Sequence, residues 1–483
     1  MNSFAHSILQ NKKYGVSAVI LLSAALRMFQ LGTESLWVDE GYSLRDASAG
    51  LSLTDMRPLY FIILHFWAML GGSELWLRLP AAIFGILSVW LVYVITTRLS
   101  GHRAGIVAAL FMAVSALQIN HSQEVRMYSL VTLFTLAEAL FFIQFIETGR
   151  ARNLVLTLIF AGLAFLAHPL TVLMLAVFNT FFLLNLKRDA RQSAIWFTGQ
   201  AVIAMPAVPY LPKLLCLCRE FGGAWVFGMA KPGVLDLLRV SRDFFLWQIS
   251  LRYGTAVLLG DIWAFFMLGL AAYGAAALSR RFRWQAMLAV LWLIVPLAGT
   301  MLISHAVVNV WMVRYLIYAS PALYILTAMG IVSLGRRNLL VIALACVLSL
   351  PAARLGIYYT KAQRPEWRQA VSYIESNLQP GDAVAVYRYG YRYVFNHYYT
   401  AGAPVFILGS HELGRHAISG WTDSRIACQM AQIPQRNCRI WFILSEGENI
   451  GEAAFESYIK RKYRVIEYNA DYYRVRIYLV TQR

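Results

Sequence analysis

Charged side chains are scarce in this chain of 483 residues. They make up 14% of it, against about 25% in an ordinary soluble protein. That shortage excludes a soluble globular fold. Acidic residues are scarcer still, 25 against 43 lysines and arginines. The surplus of +18 does not point to nucleic acid, because much of it sits in short basic clusters between apolar runs, where membrane topology places it. The first apolar run follows Lys12 and Lys13 but is not followed by a small-residue cleavage site, so it reads as a retained span rather than a signal peptide. No internal repeat is visible, and no dedicated set of metal ligands. Only five cysteines are present. Cys216, Cys218 and Cys346 lie in or near apolar runs and read as small fillers. For Cys428 and Cys438 a disulfide and two thiols both stay open.

What is abundant is apolar: 59% of the residues, with a mean hydropathy of +0.55. A span needs about 20 such residues. Eleven candidate segments lie near 15–31, 77–97, 104–120, 126–146, 153–168, 169–186, 193–211, 255–279, 285–304, 313–334 and 338–356. The fifth and sixth share one run broken only by His168-Pro169, where proline disfavours helix continuation. With the N-terminus inside, "TRLSGHR", "ETGRARN", "KRDARQ", "SRRFRW" and "GRRN" all fall inside, and every one is basic. Glu34, Asp39, Glu40, Asp46, Asp55, Glu74, Glu124, Glu220 and Asp236 fall outside.

Two long outer loops follow from this threading, at 32–76 and 212–254. The first holds "RPLYFIILHFWAML", too short to span and suited to lying at the interface. The second holds "CREFGGAWVFG". Residues 1–357 form the membrane domain, and 358–483 a small extracytoplasmic α/β domain. In that tail "PEWRQAVSYIESN" and "GEAAFESYIKRKY" read as helices, and "DAVAVYRY", "APVFILG", "CRIWFILS" and "RVIEYN" as strands.

Three polar clusters share the outer side. They are Asp39-Glu40; "NHSQEVRMY", with His121, Gln123, Glu124, Arg126 and Tyr128; and "SHAVVNVWMVRY", with His305, Asn309, Arg314 and Tyr315. Ionisable groups near spans are costly and point to function. Plainer readings stand beside this one. Asp39 is placed to cap a helix, Glu124 and Arg126 to pair locally, and Arg314 to anchor at the interface. His168 reads as a turn residue, and His65 sits on an apolar helix. Neighbouring acids cannot share a helical face, so one of Asp39 and Glu40 faces a substrate while the other holds structure.

These stretches resemble the GT-C membrane glycosyltransferases, and among them the bacterial protein O-mannosyltransferases and the aminoarabinose transferase of lipid A (glycosyltransferase family 39-like). The matching elements are "LWVDEGYSL", "RPLYFIILHFWAMLGGSELWLRLPAAIFGILSVWLVY", "HSQEVRMYSL" and "VRYLIYASPALYIL", over about residues 15–335. Where relatives carry His-Pro-Pro, this chain has Met56-Arg57-Pro58, so one expected histidine is missing. The resemblance implies a GT-C-like fold of about 11 transmembrane helices in a bacterial inner membrane. It also implies transfer of a sugar from a polyprenyl-phosphate-linked donor to a lipid, glycan or protein acceptor at the outer face. Asp39 would be the catalytic acid of that motif and Glu40 its partner.

A hydroxyl acceptor needs a base, and an inverting displacement needs one carboxylate, which Asp39 offers. The departing phosphate wants a guanidinium fork. Arg126 and Arg314 are the candidates, then Arg57, with Glu124, Tyr128, His305 and Tyr315 around them. No cofactor is certain. A divalent ion bridging Asp39 or Glu40 to the phosphate stays open. The competing readings are a flippase of lipid-linked sugars, which predicts repeats and charges deep in several spans, and a non-catalytic polysaccharide-assembly or binding protein.

Overall fold

The computed structural model describes residues 12–48, 57–185, 190–204, 208, 212, 231–247, 254–280, 282–409, 423–433, 439–445 and 450–482. The stretch "CREFGGAWVFG", Cys216, Cys218 and Cys438 lie outside these residues. The protein is a polytopic α-helical membrane protein with a small C-terminal α/β domain. The chain divides into two compact units. One comprises residues 1–31, 52–63 and 78–359, and the other residues 32–51, 64–77 and 360–483.

In the first unit the expected count of eleven spans is corrected. Among the described residues six helices are long and apolar enough to cross a membrane: Glu74–Ser100, Tyr128–Thr148, Val257–Ser279, Arg283–Ala306, Val313–Ser333 and Arg337–Thr360. A seventh is possible if the bent pair His102–Val114 and Ala116–Ser122 is one span. The other expected spans are helical but short. Lys12–Met28 and Ala151–Ala167 have 17 residues each, Val172–Asn185 has 14 and Ala190–Ala204 has 15. The physical reason is that apolar composition does not fix how long each helix runs before it breaks. His168 and Pro169 cut one apolar run in two, and Ser115 bends another by 59°.

Lipid tails are as apolar as leucine, so packing here depends on close fit and on satisfied polar groups. The Gly254–Ser279 and Ser320–Ser333 helices cross backbone to backbone. A Cβ at Gly274 would lie 2.2 Å from Leu326 O, and one at Gly330 would lie 2.0 Å from Leu270 O. Trp292, fully buried, donates its indole N–H to Tyr318 O at 3.0 Å.

In the second unit the tail folds into a five-stranded sheet in the order β2-β1-β3-β5-β4. Its strands are β1 Ala383–Tyr387, β2 Val405–Leu408, β3 Ile440–Ser445, β4 Tyr463–Tyr472 and β5 Val475–Gln482. β1 runs parallel to both β2 and β3, and β5 is antiparallel to β3 and β4. Strands β1 and β3 are buried throughout, as a parallel centre requires. Side chains such as Tyr387, Phe442, Phe455 and Tyr478 fill the core. The edge strand β4 carries two register shifts, which bend it away from edge-to-edge pairing.

Candidate functional site

The acidic pair lies in the first turn of the Val38–Ser48 helix, and the two carboxylates have different surroundings. Glu40 is fully buried. Its Oε2 accepts from the backbone N–H of Trp37 at 3.2 Å, the reach-back of a third helical residue to the residue before the helix. The guanidinium of Arg364 lies 3.5 Å from Glu40 and 3.9 Å from Glu34. Nearby, Arg368 bonds Glu74 at 2.7 Å and Thr33 O at 2.6 Å. Tyr398 donates to Glu74 at 3.0 Å and accepts from Leu36 N at 2.7 Å. Burial, then Glu74 and Glu40, push the Tyr398 hydroxyl's pKa well above the usual tyrosine value, and its bond from Leu36 only partly opposes this. The helix packs closely because residue 41 is glycine; a Cβ there would meet Val394 at 2.7 Å. At its other end the His65 ring bonds Ala47 O at 2.8 Å, so His65 holds structure. Asp39 is half-exposed on this fixed helix.

The arginine candidates belong to the membrane unit. Arg57, Arg126 and Arg314 all bear electrostatically on the buried ring of His168. His168 lies 5.0 Å from Tyr315 and 6.4 Å from Tyr128, centroid to centroid. Arg126 lies over Tyr128 at 5.9 Å and Arg314 over Tyr315 at 5.7 Å. Glu124 is buried and accepts from Asn120 Nδ2 at 2.7 Å; His121 Nδ1 lies 3.0 Å from its other oxygen. The His121 ring packs between Tyr128 and Trp247, at 4.7 Å from each. Trp247 holds a left-handed backbone, φ 43°. Tyr128 and Tyr315 thus flank His168, Arg126 and Arg314 lie over those two rings, the charge of Arg57 is felt at the same histidine, and Glu124 sits one contact further off on His121. His305 does not join them by any described contact. It is exposed, its ring bonds Met301 O at 2.9 Å, and it lines an apolar groove of about 880 Å³ with Leu268, Leu293, Leu297 and Leu302. Among the described residues no group of three or more histidine, cysteine or acidic side chains is placed to hold a metal ion.

The family described as dolichyl-phosphate-mannose-protein mannosyltransferase matches residues 55–212, less than half of the chain. No protein of curated function matches the sequence. Among solved structures, ArnT from Cupriavidus metallidurans in the apo state is similar over 96% of this chain and 97% of its own, with a TM-score of 0.60 and 14% identity. ArnT bound to undecaprenyl phosphate gives 0.58 and 13% over the same shares. The archaeal oligosaccharyltransferase AglB from Archaeoglobus fulgidus, in complex with an inhibitory peptide and a dolichol-phosphate, gives 0.58 and 12% over 89% of this chain and 69% of that one. The fold is GT-C-like.

In this GT-C-like fold Glu124 and Arg126 directly follow a broken helix. The break at Ser115 leaves the last carbonyls of His102–Val114 without helical donors. Arg27, fully buried at the end of the Lys12–Met28 helix, supplies them. Its Nη1 bonds Ala113 O and its Nη2 bonds Met112 O, both at 3.1 Å, while Nε bonds Ser122 Oγ at 3.2 Å. Ser115 caps the next helix by accepting from Gln118 N, and donates to Phe244 O at 2.7 Å. Gly85 leaves room for this junction; a Cβ there would lie 2.2 Å from Ser122 Oγ. Arg27, Arg364 and Glu138 are not among the residues singled out by sequence. Glu138 sits buried within Tyr128–Thr148 and was legible as an acid inside an apolar run. Arg27 bonds Ser23 Oγ one turn back at 2.9 Å, but the carbonyls it satisfies lie 85 and 86 residues away and the Glu40 partner of Arg364 lies 324 away, so neither role carried a local signal.

Proposed function

We propose that the protein is a membrane glycosyltransferase. It moves one sugar from a polyprenyl-phosphate carrier to a hydroxyl of a lipid, glycan or protein acceptor, at the outer face of a bacterial inner membrane, with inversion. The observation that carries this reading is the contrast between the two adjacent acids. Glu40 is sealed against Arg364 and the backbone of Trp37, while Asp39 is half-exposed on the same rigid turn. A half-exposed carboxylate on a turn fixed by its neighbour suits a general base. The acceptor oxygen attacks the anomeric carbon, its proton passes to Asp39, and the bond from that carbon to the phosphate oxygen breaks with its electron pair leaving on the phosphate.

Arg126, Arg314 and Arg57 supply positive charge for the departing group, because a guanidinium fork matches phosphate oxygens. The apolar groove lined by Leu268, Leu293 and Leu297 suits an isoprenoid tail. ArnT has been solved bound to undecaprenyl phosphate and AglB in complex with a dolichol-phosphate, which supports a lipid-phosphate donor here.

The test is single-turnover transfer from a polyprenyl-phosphate sugar, with donor binding measured alongside. Asp39→Asn should bind donor but transfer about 10²–10⁴-fold more slowly. Near-normal transfer by that variant would sink the assignment. Severe loss in Glu40→Gln alone, with the protein still folded, would move the role to Glu40.

A further inference from the structure

The stretch "VYRYGYRY", Val386–Tyr393, alternates arginine and tyrosine at the carboxyl end of β1. In open α/β sheets ligands bind outside the carboxyl ends of parallel strands, at the point where the chain turns to opposite sides. β1 is that point, since β2 follows on one side of it and β3 is added on the other. The backbone there is strained: Arg388 has φ 74°, a region that non-glycine residues seldom occupy. Such outliers persist where the surroundings over-determine them, often at ligand sites. Here Gly409, itself at φ 106°, leaves room for the turn; a Cβ there would lie 3.1 Å from the Cα of Arg388.

Around this turn six half-buried side chains form one layered group. Arg392 lies over the Tyr389 ring at 3.8 Å and the Tyr393 ring at 4.5 Å, and bonds the Tyr393 hydroxyl at 2.6 Å. Arg45 lies over Tyr42 at 4.9 Å and Tyr393 at 5.1 Å, and its Nε bonds Asp46 at 2.6 Å. Arg388 lies over the neighbouring Tyr391 ring at 5.8 Å, and its charge is felt at the Tyr42 hydroxyl. Burial opposes ionisation of Tyr393, but hydrogen bonds from Arg45 and Arg392 outweigh it and set its pKa below the usual tyrosine value. Neither Arg388 nor Arg392 forms an ion pair with a described acidic residue. Among the described residues the three guanidinium groups thus have one carboxylate partner, Asp46 on Arg45. Stacking also fixes the forks in advance, which lowers the cost of engaging a carboxylate or phosphate.

Tyr42 and Arg45 belong to the helix that carries Asp39. Asp39 and Tyr42 are three residues apart and share a helical face, and the charge of Asp39 is felt at the Tyr42 hydroxyl. Anything bound on these rings lies beside the candidate base.

We propose that Tyr42, Arg45, Arg388, Tyr389, Arg392 and Tyr393 bind the acceptor, and that the acceptor is a sugar bearing a carboxylate or phosphate. The flat tyrosine faces take the C–H face of a pyranose, and the arginine forks take its anionic group. Charge alone would serve a lipid headgroup; the array of stacked phenols is what favours a sugar. This assignment rests on the transferase reading, but its test does not need turnover.

The experiment uses the full-length protein in zwitterionic nanodiscs, with binding followed by saturation-transfer NMR. The probes are tetragalacturonate and mannose 6-phosphate, against neutral maltotetraose. Both anionic probes should bind at least tenfold more tightly than maltotetraose. The variant Arg388→Asn with Arg392→Gln should lose tenfold or more; asparagine tolerates the left-handed backbone at 388. Tyr393→Phe, which keeps the ring, should weaken binding severalfold and guards against a loss of fold in the double variant. Asp39→Asn removes a nearby negative charge and should bind the anionic probes no more weakly than the parent, so a failure of the base assignment would leave this result standing. Equal binding of neutral and charged probes, or undiminished binding by both variants, would overturn the proposal. So would anionic phospholipid vesicles binding through the same arginines while no saccharide does.

Discussion

Replacing Arg27 by methionine tests whether one buried cation holds the broken helix together. Arg27 is fully buried and supplies donors to Met112 O and Ala113 O, the carbonyls left over at the Ser115 break. A buried acceptor stripped of its donor costs roughly 1–3 kcal/mol, so two cost roughly 2–6. Removing a buried guanidinium also removes its own desolvation penalty, which brings the expected loss to about 2–4 kcal/mol. Arg27→Lys keeps the charge without the planar fork and should lose about half as much. The assay is thermal unfolding of the purified protein in detergent. Gly85→Ala provides the cross-check, because its Cβ would lie 2.8 Å from Arg27 Nε. The two changes act on one junction, so the double variant should fall short of the sum of the singles. An Arg27→Met protein as stable as the parent, or strict additivity with Gly85→Ala, would refute the reasoning.

Two further outcomes are expected. Arg314→Ala and Arg126→Ala should each weaken binding of undecaprenyl phosphate by about 2–5 kcal/mol, with lysine rescuing only in part; unchanged affinity in both would remove them as the phosphate clamp. Glu456 should make the α/β domain acid-sensitive. Burial raises its pKa, but hydrogen bonds from Lys460 and Tyr478 and the charge of Arg476 outweigh this and hold it below the usual value. A lowered folded-state pKa stabilises above the unfolded value of about 4.3 and is lost as pH falls through the folded one. Limited proteolysis of that domain should therefore accelerate below about pH 4 in the parent and show a weaker pH dependence in Glu456→Gln.

Much of the architecture was legible in residue order. The apolar runs "AVAVY" and "WFILS" became buried strands, and "WRQAVSYIESN" became a helix. The split between the two acids was legible as a need, since neighbours cannot share a face, but which acid turned inward was not. That depended on Arg364, 324 residues away. Strand β5 was harder to see because its hairpin turns at Tyr473-Arg474, with φ 54° at Arg474 and no glycine or proline to mark it. Ser115 gave no warning of a break, since serine is common inside apolar helices and the cap it forms is visible only in three dimensions. His168 was read as a turn residue, and it does accept from Leu170 N at 3.3 Å. The two tyrosine rings beside it, and the three arginines whose charge it feels, come from segments far apart in the chain.

The crossing at Gly274 and Gly330 sorts the glycines of the membrane unit into two kinds for anyone seeking a sturdier variant. Glycine inside a helix gives up about 1 kcal/mol relative to alanine, so helical glycines are natural targets for stabilisation. Gly162, Gly269 and Gly356 have nothing within 4 Å of a would-be Cβ and are open to that exchange. At Gly274 and Gly330 the added methyl would strike main-chain atoms, which have no rotamer to retreat into. The helices would have to separate, and the loss of contact along the Gly254–Ser279 and Ser320–Ser333 pair would exceed any gain in helix propensity.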